Sequence, residues 1–419
     1  MRRSADRRSN LDSSPMPASR ARLGVIFLTV FIDLAGFGLI LPVLPYYAER
    51  FGASGIGYGA LIGVFSLMQF VATVVLGGLS DRVGRRPVLL ASILVGAVGY
   101  TMFGSAASYV WLIVARAISG FAGGNISVAQ AYIADVTSPA ERSRGMGLIG
   151  AAFGLGFIVG PGLGAVAAHF GGLRAVGFVA AGLCLVNFVS AYFVLPESLR
   201  QEHRAARSLV DTTHLVRGLR EPHFRPAFLV FGLIPFAFSG YIVALPLFME
   251  QAFGWGSGQL GVFFTVIGVI AATVQGYLFG KIQRRTGDRI LISLGTAGMA
   301  IGIAAIPIAH TALAIYPWVV ILAFGNSICA PALTGLISRL AGPGEQGAMM
   351  GAAQALTAMG RFSGLLLFGQ LYDVGGPTAT FVAAGLVMTV AWVVTLRIRD
   401  PGVEPATVGG AAPTDPGIP

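Results

Sequence analysis

Three side chains stand where charge is costly. Asp33 lies ten residues after Leu23 inside an apolar run, Arg116 lies inside a second run, and Arg361 is midway along a third. A charged group at the centre of a bilayer costs ~2.5–3.5 kcal/mol on insertion scales, so each should face a cavity or a partner. A carboxyl withdrawn from water is a candidate proton carrier. The competing reading of Asp33 is a local bond to backbone or hydroxyl groups. Arg116 forms one small and polar stripe with Gly120, Gly123, Ser127 and Gln130, at helical steps of four and three. Such a stripe borders a wet path or packs tightly against a neighbouring helix. Arg116 beside a carboxylate would favour the ionised form of that group, and movement between them would change proton affinity. Arg361 shares a helix face with Gln354, and the sequence does not name its partner. Asn125 and Asn326 hold equivalent places in their spans, where each lines a cavity or ties two helices together. Phe37, Gln69, Phe236, Phe238 and Tyr241 are further lining candidates, although aromatics in apolar spans are more often core.

The elements that must hold these residues are set by composition. The chain has 419 residues, 55% hydrophobic and 11% charged, with mean hydropathy +0.77. A soluble domain is about 25% charged. A polytopic helical membrane protein is therefore expected, in contact with the lipid bilayer. The 59 Gly suit that class, because small residues let spanning helices approach. The net charge of +10 sits in loops between apolar runs, with no basic domain for nucleic acid. Cys184 and Cys329 both fall in apolar segments, and the five His form no ligand-like cluster. Neither a metal site nor a disulfide framework is indicated. Gly-x-Gly matches such as Gly154 to Gly156 lie inside helices without a preceding strand, and no catalytic triad is visible, so no cofactor and no enzyme are expected.

Residues 1–22 read as a polar cytosolic tail rather than a targeting peptide, since no cleavage site ends the long apolar run that follows. Apolar segments follow at 23–47, 56–80, 87–107, 110–133, 145–168 and 175–195. A polar loop spans 196–225. Six more segments follow at 226–249, 258–280, 290–309, 315–338, 348–371 and 378–396, before a disordered tail at 397–419. Each is near the ~20 residues needed to span a bilayer. The domains are thus a six-helix half at 23–195, a central loop at 196–225 and a second half at 226–396. With both termini inside, nearly all loop Arg and Lys fall inside, leaving Arg50 and Arg174 outside.

The halves repeat. Gly77, Asp81, Arg82, Gly84 and Arg86 recur at one offset as Gly280, Arg284, Arg285, Gly287 and Arg289. Pro45 with Glu49 recurs as Pro246 with Glu250. Gly147, Gly156 and Gly160 recur as Gly351, Gly360 and Gly364. Parallel six-span repeats imply a pseudo-two-fold along the membrane normal and a binding site between the halves near the midplane.

These motifs together resemble the major facilitator superfamily, in its drug/proton antiporter branch, and tetracycline efflux pumps in particular. Gly77 to Arg86, with Arg85 inside it, is similar to the loop motif between helices 2 and 3. Arg116 to Gly120 is similar to the helix 4 motif, with Ser119 where Gln is usual. Gly147, Gly156, Gly160, Pro161 and Gly164 resemble the antiporter signature of helix 5, with Ala165 replacing its final Gly. Asp33 to Pro45 and Ala131 to Asp135 resemble the tetracycline-pump subgroup. The resemblance implies an all-α fold of twelve spans and proton-coupled antiport of a small amphipathic molecule. It implies Asp33 and Arg116 in proton coupling and a monomer in a bacterial inner membrane. Gly99 and Gly298 stand where those pumps carry Asp, which argues against tetracycline itself. Proton-coupled uptake of a sugar or metabolite is the alternative within transporters. A non-transporting receptor or assembly protein on the same scaffold is the alternative from another class, and the intramembrane charges argue against it.

The resemblance and the repeat also imply a latch. When the cytoplasmic ends of the halves close, Asp81 should meet the positive start of helix 11, near residues 346–349, with Arg85 or Arg144 orienting it and Asp135 completing the cluster. Arg284 in the equivalent place makes a mirror-image latch repulsive. Pro161 should bend helix 5, and Leu365 in its place should leave helix 11 without that bend.

Overall fold

The computed structural model describes residues 20–137, 139–198, 213–341 and 346–398. In order these form α1 (Arg20–Ile40), α2 (Leu44–Glu49), α3 (Gly55–Val83), α4 (Arg85–Gly104), α5 (Tyr109–Ala122), α6 (Asn125–Val136) and α7 (Pro139–Val194). There follow α8 (Thr213–Arg220), α9 (Arg225–Phe253), α10 (Ser257–Thr273), α11 (Phe279–Ala305), α12 (Ala312–Leu340) and α13 (Gln346–Thr395). No strand occurs among the described residues.

Eight stretches are long and apolar enough to cross a membrane. Three of them, Gly154–Val194, Ser257–Ile308 and Met349–Thr395, run to 41, 52 and 47 residues. They turn at Gly172, Gly287 and Gly376, whose φ of 68°, 75° and 73° suits glycine alone. Each of these stretches therefore supplies two spans. With the shorter apolar helix Gly24–Ile40, the described residues form the twelve spans of an all-α membrane protein in two six-helix halves. The outer surface carries large apolar side chains such as Phe170, Phe193 and Leu313, exposed by 84%, 79% and 79%, as lipid contact requires.

Helix 4 departs from the expected single segment. It breaks into α5 and α6 at Gly123–Gly124. A Cβ at Gly124 would lie 2.6 Å from the Ala72 backbone carbon, so α3 crosses too close for any side chain. In the loop expected at 196–225 the structure has α8, whose Arg217 pairs with Glu221 at 2.7 Å. A five-residue π-helical turn, Val274–Leu278, interrupts the eighth span.

Glycine stripes set the close packing. Gly156 and Gly160 of α7 lie against Leu34, Ala35 and Gly38 of α1, with an added Cβ 2.7 Å from Leu34 and 2.6 Å from the Ala35 carbonyl. In the other half, Gly360 and Gly364 of α13 lie against Gly232 and Phe236 of α9. Two seams then join the halves. A Cβ added at Gly261 of α10 would lie 2.8 Å from the Pro161 carbonyl of α7. At the other seam, Gly59 of α3 faces the Leu365 carbonyl of α13. Among the described residues, the hydrogen bonds that join the halves all lie at the end opposite the chain termini, here the distal end. Tyr46 Oη donates to the Trp255 carbonyl at 2.6 Å. The Gly55 and Ile56 amides donate to Asp373 at 2.6 and 2.9 Å.

Candidate functional site

Asp33 comes from α1, and the break in helix 4 supplies its partner. With α6 starting at Asn125, the Asn125 Nδ2 donates to Asp33 Oδ2 at 2.5 Å. The Asn125 Oδ1 is buried without a partner. Beside this pair, Tyr100 of α4 closes on Gly36, where an added Cβ would lie 2.9 Å from the phenol oxygen.

Arg116 is 1% exposed. Its guanidinium stacks over Phe65 at 4.2 Å and Phe37 at 5.8 Å, and its Nε donates to the Leu61 carbonyl at 3.4 Å. Its Nη1 is buried without a partner. Among the described residues no carboxylate pairs with Arg116, whose partner is a carbonyl. The phenols of Tyr100 and Tyr58 lie in electrostatic range instead, and Tyr100 is in range of Asp33 as well. Two aromatic faces stabilise a desolvated guanidinium by up to ~2 kcal/mol each, which offsets much of its burial.

The rest of the helix 4 stripe divides. A Cβ at Gly120 would collide with the Phe65 backbone, and one at Gly123 would lie 3.1 Å from Gln69 Nε2. Ser127 Oγ donates to the Thr73 carbonyl at 3.0 Å. These three pack on α3, while Gln130 is exposed. Gln69 Nε2 donates to the Gly123 carbonyl at 3.3 Å and ties α3 to the break.

In the second half, Arg361 and Asn326 are half-buried and Gln354 is exposed. No described residue hydrogen-bonds or pairs with the Arg361 guanidinium; only its backbone carbonyl is engaged, accepting from Ser239 Oγ at 3.1 Å. Phe236 packs on Phe368 at 5.4 Å and Phe238 on Tyr241 at 5.1 Å, as core aromatics do.

At the proximal end, Arg85 is 7% exposed. It pairs with Asp81 at 2.6 Å and Asp135 at 3.2 Å, and donates to Ser80 Oγ at 2.5 Å. Ser198 Oγ donates to the same Asp135 oxygen at 3.1 Å. Asp81 is thereby held within its own loop by Arg85. Residues 346–348, Arg144 and Gly147 have side-chain surroundings outside the described residues. Arg82 is exposed. Arg86 Nη2 donates to the Tyr192 carbonyl at 2.7 Å, and its counterpart Arg289 to the Leu396 carbonyl at 3.3 Å. Gly77 has space around it, with only Ser127 Oγ near an added Cβ at 3.6 Å. Gly84 is required by its φ of 118° and by Glu197, whose carboxylate fills the room a side chain would need.

Three functional candidates were not singled out from sequence. Glu197 accepts from the Arg85 and Arg86 amides at 2.9 and 3.3 Å and caps α4. Asp373 caps α3 from the other half. Tyr100 packs its phenol against Gly36, beside Asp33. The lone acid directly after Pro196 was the signal for the first; nothing local marked the other two. The repeated pair Glu49 and Glu250, one from each half, lies within electrostatic range at the distal end. Gly99 cannot carry an Asp, because a Cβ there would lie 2.6 Å from Ser119 Oγ.

Comparison with known proteins fits this architecture. The Major Facilitator Superfamily model matches residues 26–364 and 227–416, and the chain belongs to that family. It is 33% identical to the class C tetracycline resistance protein of Escherichia coli, covering 86% of this chain and 92% of that one. It is 30% identical to mouse major facilitator superfamily domain-containing protein 10, covering 92% and 95%. Among solved structures, the human organic anion transporter MFSD10 (TETRAN) aligns with TM-score 0.70 and 27% identity, over 91% of this chain and 100% of that one. A bacterial homologue of the lysosomal transporter Spinster aligns with TM-score 0.75 at 14% identity, over 89% and 95%, which speaks to the fold alone.

Proposed function

We propose that this membrane transporter expels a small amphipathic, drug-like molecule in exchange for protons by alternating access. The observation that carries the reading is Asp33, half-buried within the first span and held by Asn125 rather than by a cation. A carboxylate with a neutral partner gains and loses a proton without breaking an ion pair. The relatives named as tetracycline resistance and multidrug resistance proteins support an efflux role. On this reading the proximal end faces the cytosol of a bacterial cell, both termini are cytoplasmic, and the closed distal seam makes this the inward-open state. Asp81 leaves Arg85 to meet the start of α13 when the proximal end closes. The protein works as a monomer.

The test is an everted-vesicle assay with an imposed pH gradient and a panel of amphipathic compounds. Compounds that are transported dissipate the gradient in wild type, and Asp33→Asn abolishes the response at unchanged expression. Gradient-driven transport by Asp33→Asn at the wild-type rate would overturn the reading.

A further inference from the structure

The spans of this chain, away from their ends, contain three Asp, Glu, Lys or Arg residues: Asp33, Arg116 and Arg361. That is one carboxylate against two guanidinium groups. Asp33 is held by Asn125, so it neutralises neither cation. Arg116 is sealed between Phe37 and Phe65 and is 1% exposed. Arg361 is different. It is half-buried, no described side chain pairs with it, and its nitrogens, unlike Arg116 Nη1, are not closed off.

Its direction follows from its neighbours. Met359 and Leu367 are 56% and 55% exposed and form the lipid face of α13. At about 100° per residue, Arg361 lies on the opposite side. Leu365, one turn further along that side, meets Gly59 of the first half through its carbonyl, and the adjacent Phe362 ring would be 3.3 Å from a Cβ at Gly63. Gln354, two turns toward the proximal end on the same side, is exposed. Arg361 therefore presents an uncompensated cation to the space between the halves, on a path open toward the proximal end.

A fixed cation in a low-dielectric site is costly unless a counter-charge arrives. We propose that Arg361 is the substrate's docking group, and that the substrate carries an anionic head, a carboxylate or sulfonate, on an apolar body. The planar fork of a guanidinium suits such a head. This rests on the transport reading above and adds the sign of the substrate's charge. An anion near Asp33 would hold its proton rather than expel it, so the exclusion that antiport needs is steric or conformational. Export of an anion against entry of a proton moves charge in one sense, so a membrane potential drives it together with the pH gradient.

The experiment measures binding without transport. Purified protein in detergent is melted with 2-naphthoate, 2-naphthamide or 2-naphthylmethylammonium, three probes of one shape and different charge. The naphthoate raises Tm in wild type, the amide less, and the ammonium not at all. Arg361→Gln weakens naphthoate binding about tenfold or more, corresponding to ~1.4 kcal/mol, and Arg361→Lys retains part of it. Asp33→Asn, which fails in the vesicle assay, still binds naphthoate, so loss of coupling and loss of docking are read separately. If Arg361→Gln does not fold, the comparison of the three probes on wild type and Arg361→Lys decides. Equal or stronger stabilisation by the amide or the ammonium, no stabilisation by naphthoate, or an unchanged naphthoate response in Arg361→Gln would overturn the proposal.

Discussion

Arg85 binds Asp135 in the first half, and Asp288 binds Arg339 in the second. The paired positions lie 203 and 204 residues apart, within one residue of the offset of 203 that relates the two loops. The same joint is built twice with its charges exchanged. The inner member is buried in both cases, Arg85 at 7% and Asp288 at 3% exposed. The Asp288 carboxylate also accepts from Gln283 Nε2 at 2.7 Å. Exchanged signs let each half hold its own joint while the two loops stay distinct in charge.

That exchange predicts a rescue. Asp288→Arg alone places an uncompensated cation beside Arg339 and should cost ~3–5 kcal/mol, as breaking a buried pair does. Adding Arg339→Asp restores a pair of the first-half kind. Thermal unfolding of the three variants in detergent measures the effect, and a double variant no more stable than Asp288→Arg would refute it.

The helix 4 arginine should tolerate little. Arg116→Lys keeps the charge but loses the planar stacking on Phe65 and Phe37, and Arg116→Ala removes both. Transport rate should fall severalfold for Lys and vanish for Ala, with Lys also lowering Tm. A fully active Ala variant would reduce Arg116 to packing.

The distal end should open when Asp373 is removed. Its two bonds to the start of α3 resemble an N-cap, worth ~0.5–2 kcal/mol, and they join the two halves. Asp373→Ala should shift the population toward distal-open forms by several-fold at the lower end of that range. Cysteine labelling from the distal side, with a reporter at Ala60, reads the shift; unchanged labelling would mean that the remaining contacts, Tyr46 on Trp255 and Gly59 on Leu365, hold the closure.

Gly84→Ala should be destabilising for two separable reasons. The φ of 118° strains any L residue by ~1–3 kcal/mol, and the new methyl would displace Glu197. Glu197→Gln weakens only the cap of α4. If strain and contact are both real, Gly84→Ala lowers Tm by more than Glu197→Gln, and the double variant falls short of the sum.

The twelve spans and the repeat were legible because a bilayer enforces length and hydropathy on every segment. The joint at Arg85 was legible in part: its members were named, while the pairing of Asp81 with Arg85 belongs to this state. A sequence carries no record of which conformational state it is in. The break at Gly123–Gly124 was hidden because two adjacent glycines in a span also read as a packing stripe. Its cause is the approach of Ala72 from another helix. Asp373 was invisible for a similar reason, since it caps a helix more than three hundred residues away.

Each seam sets a glycine against a carbonyl as a pin, Gly261 against Pro161 and Gly59 against Leu365, and at the second Gly369 also meets the Gly55 carbonyl. Gly261 lies four residues from the start of α10 and Gly59 four from the start of α3, so the pins sit at matched depth. Two points define a line. Small rotations about that line leave both pins seated while the far ends of the helices swing apart, so the proximal mouth travels furthest for the least disturbance of the seams. The spacing from pin to mouth acts as a lever arm, and its length, set by how deep each glycine lies, fixes how wide the mouth opens for a given tilt.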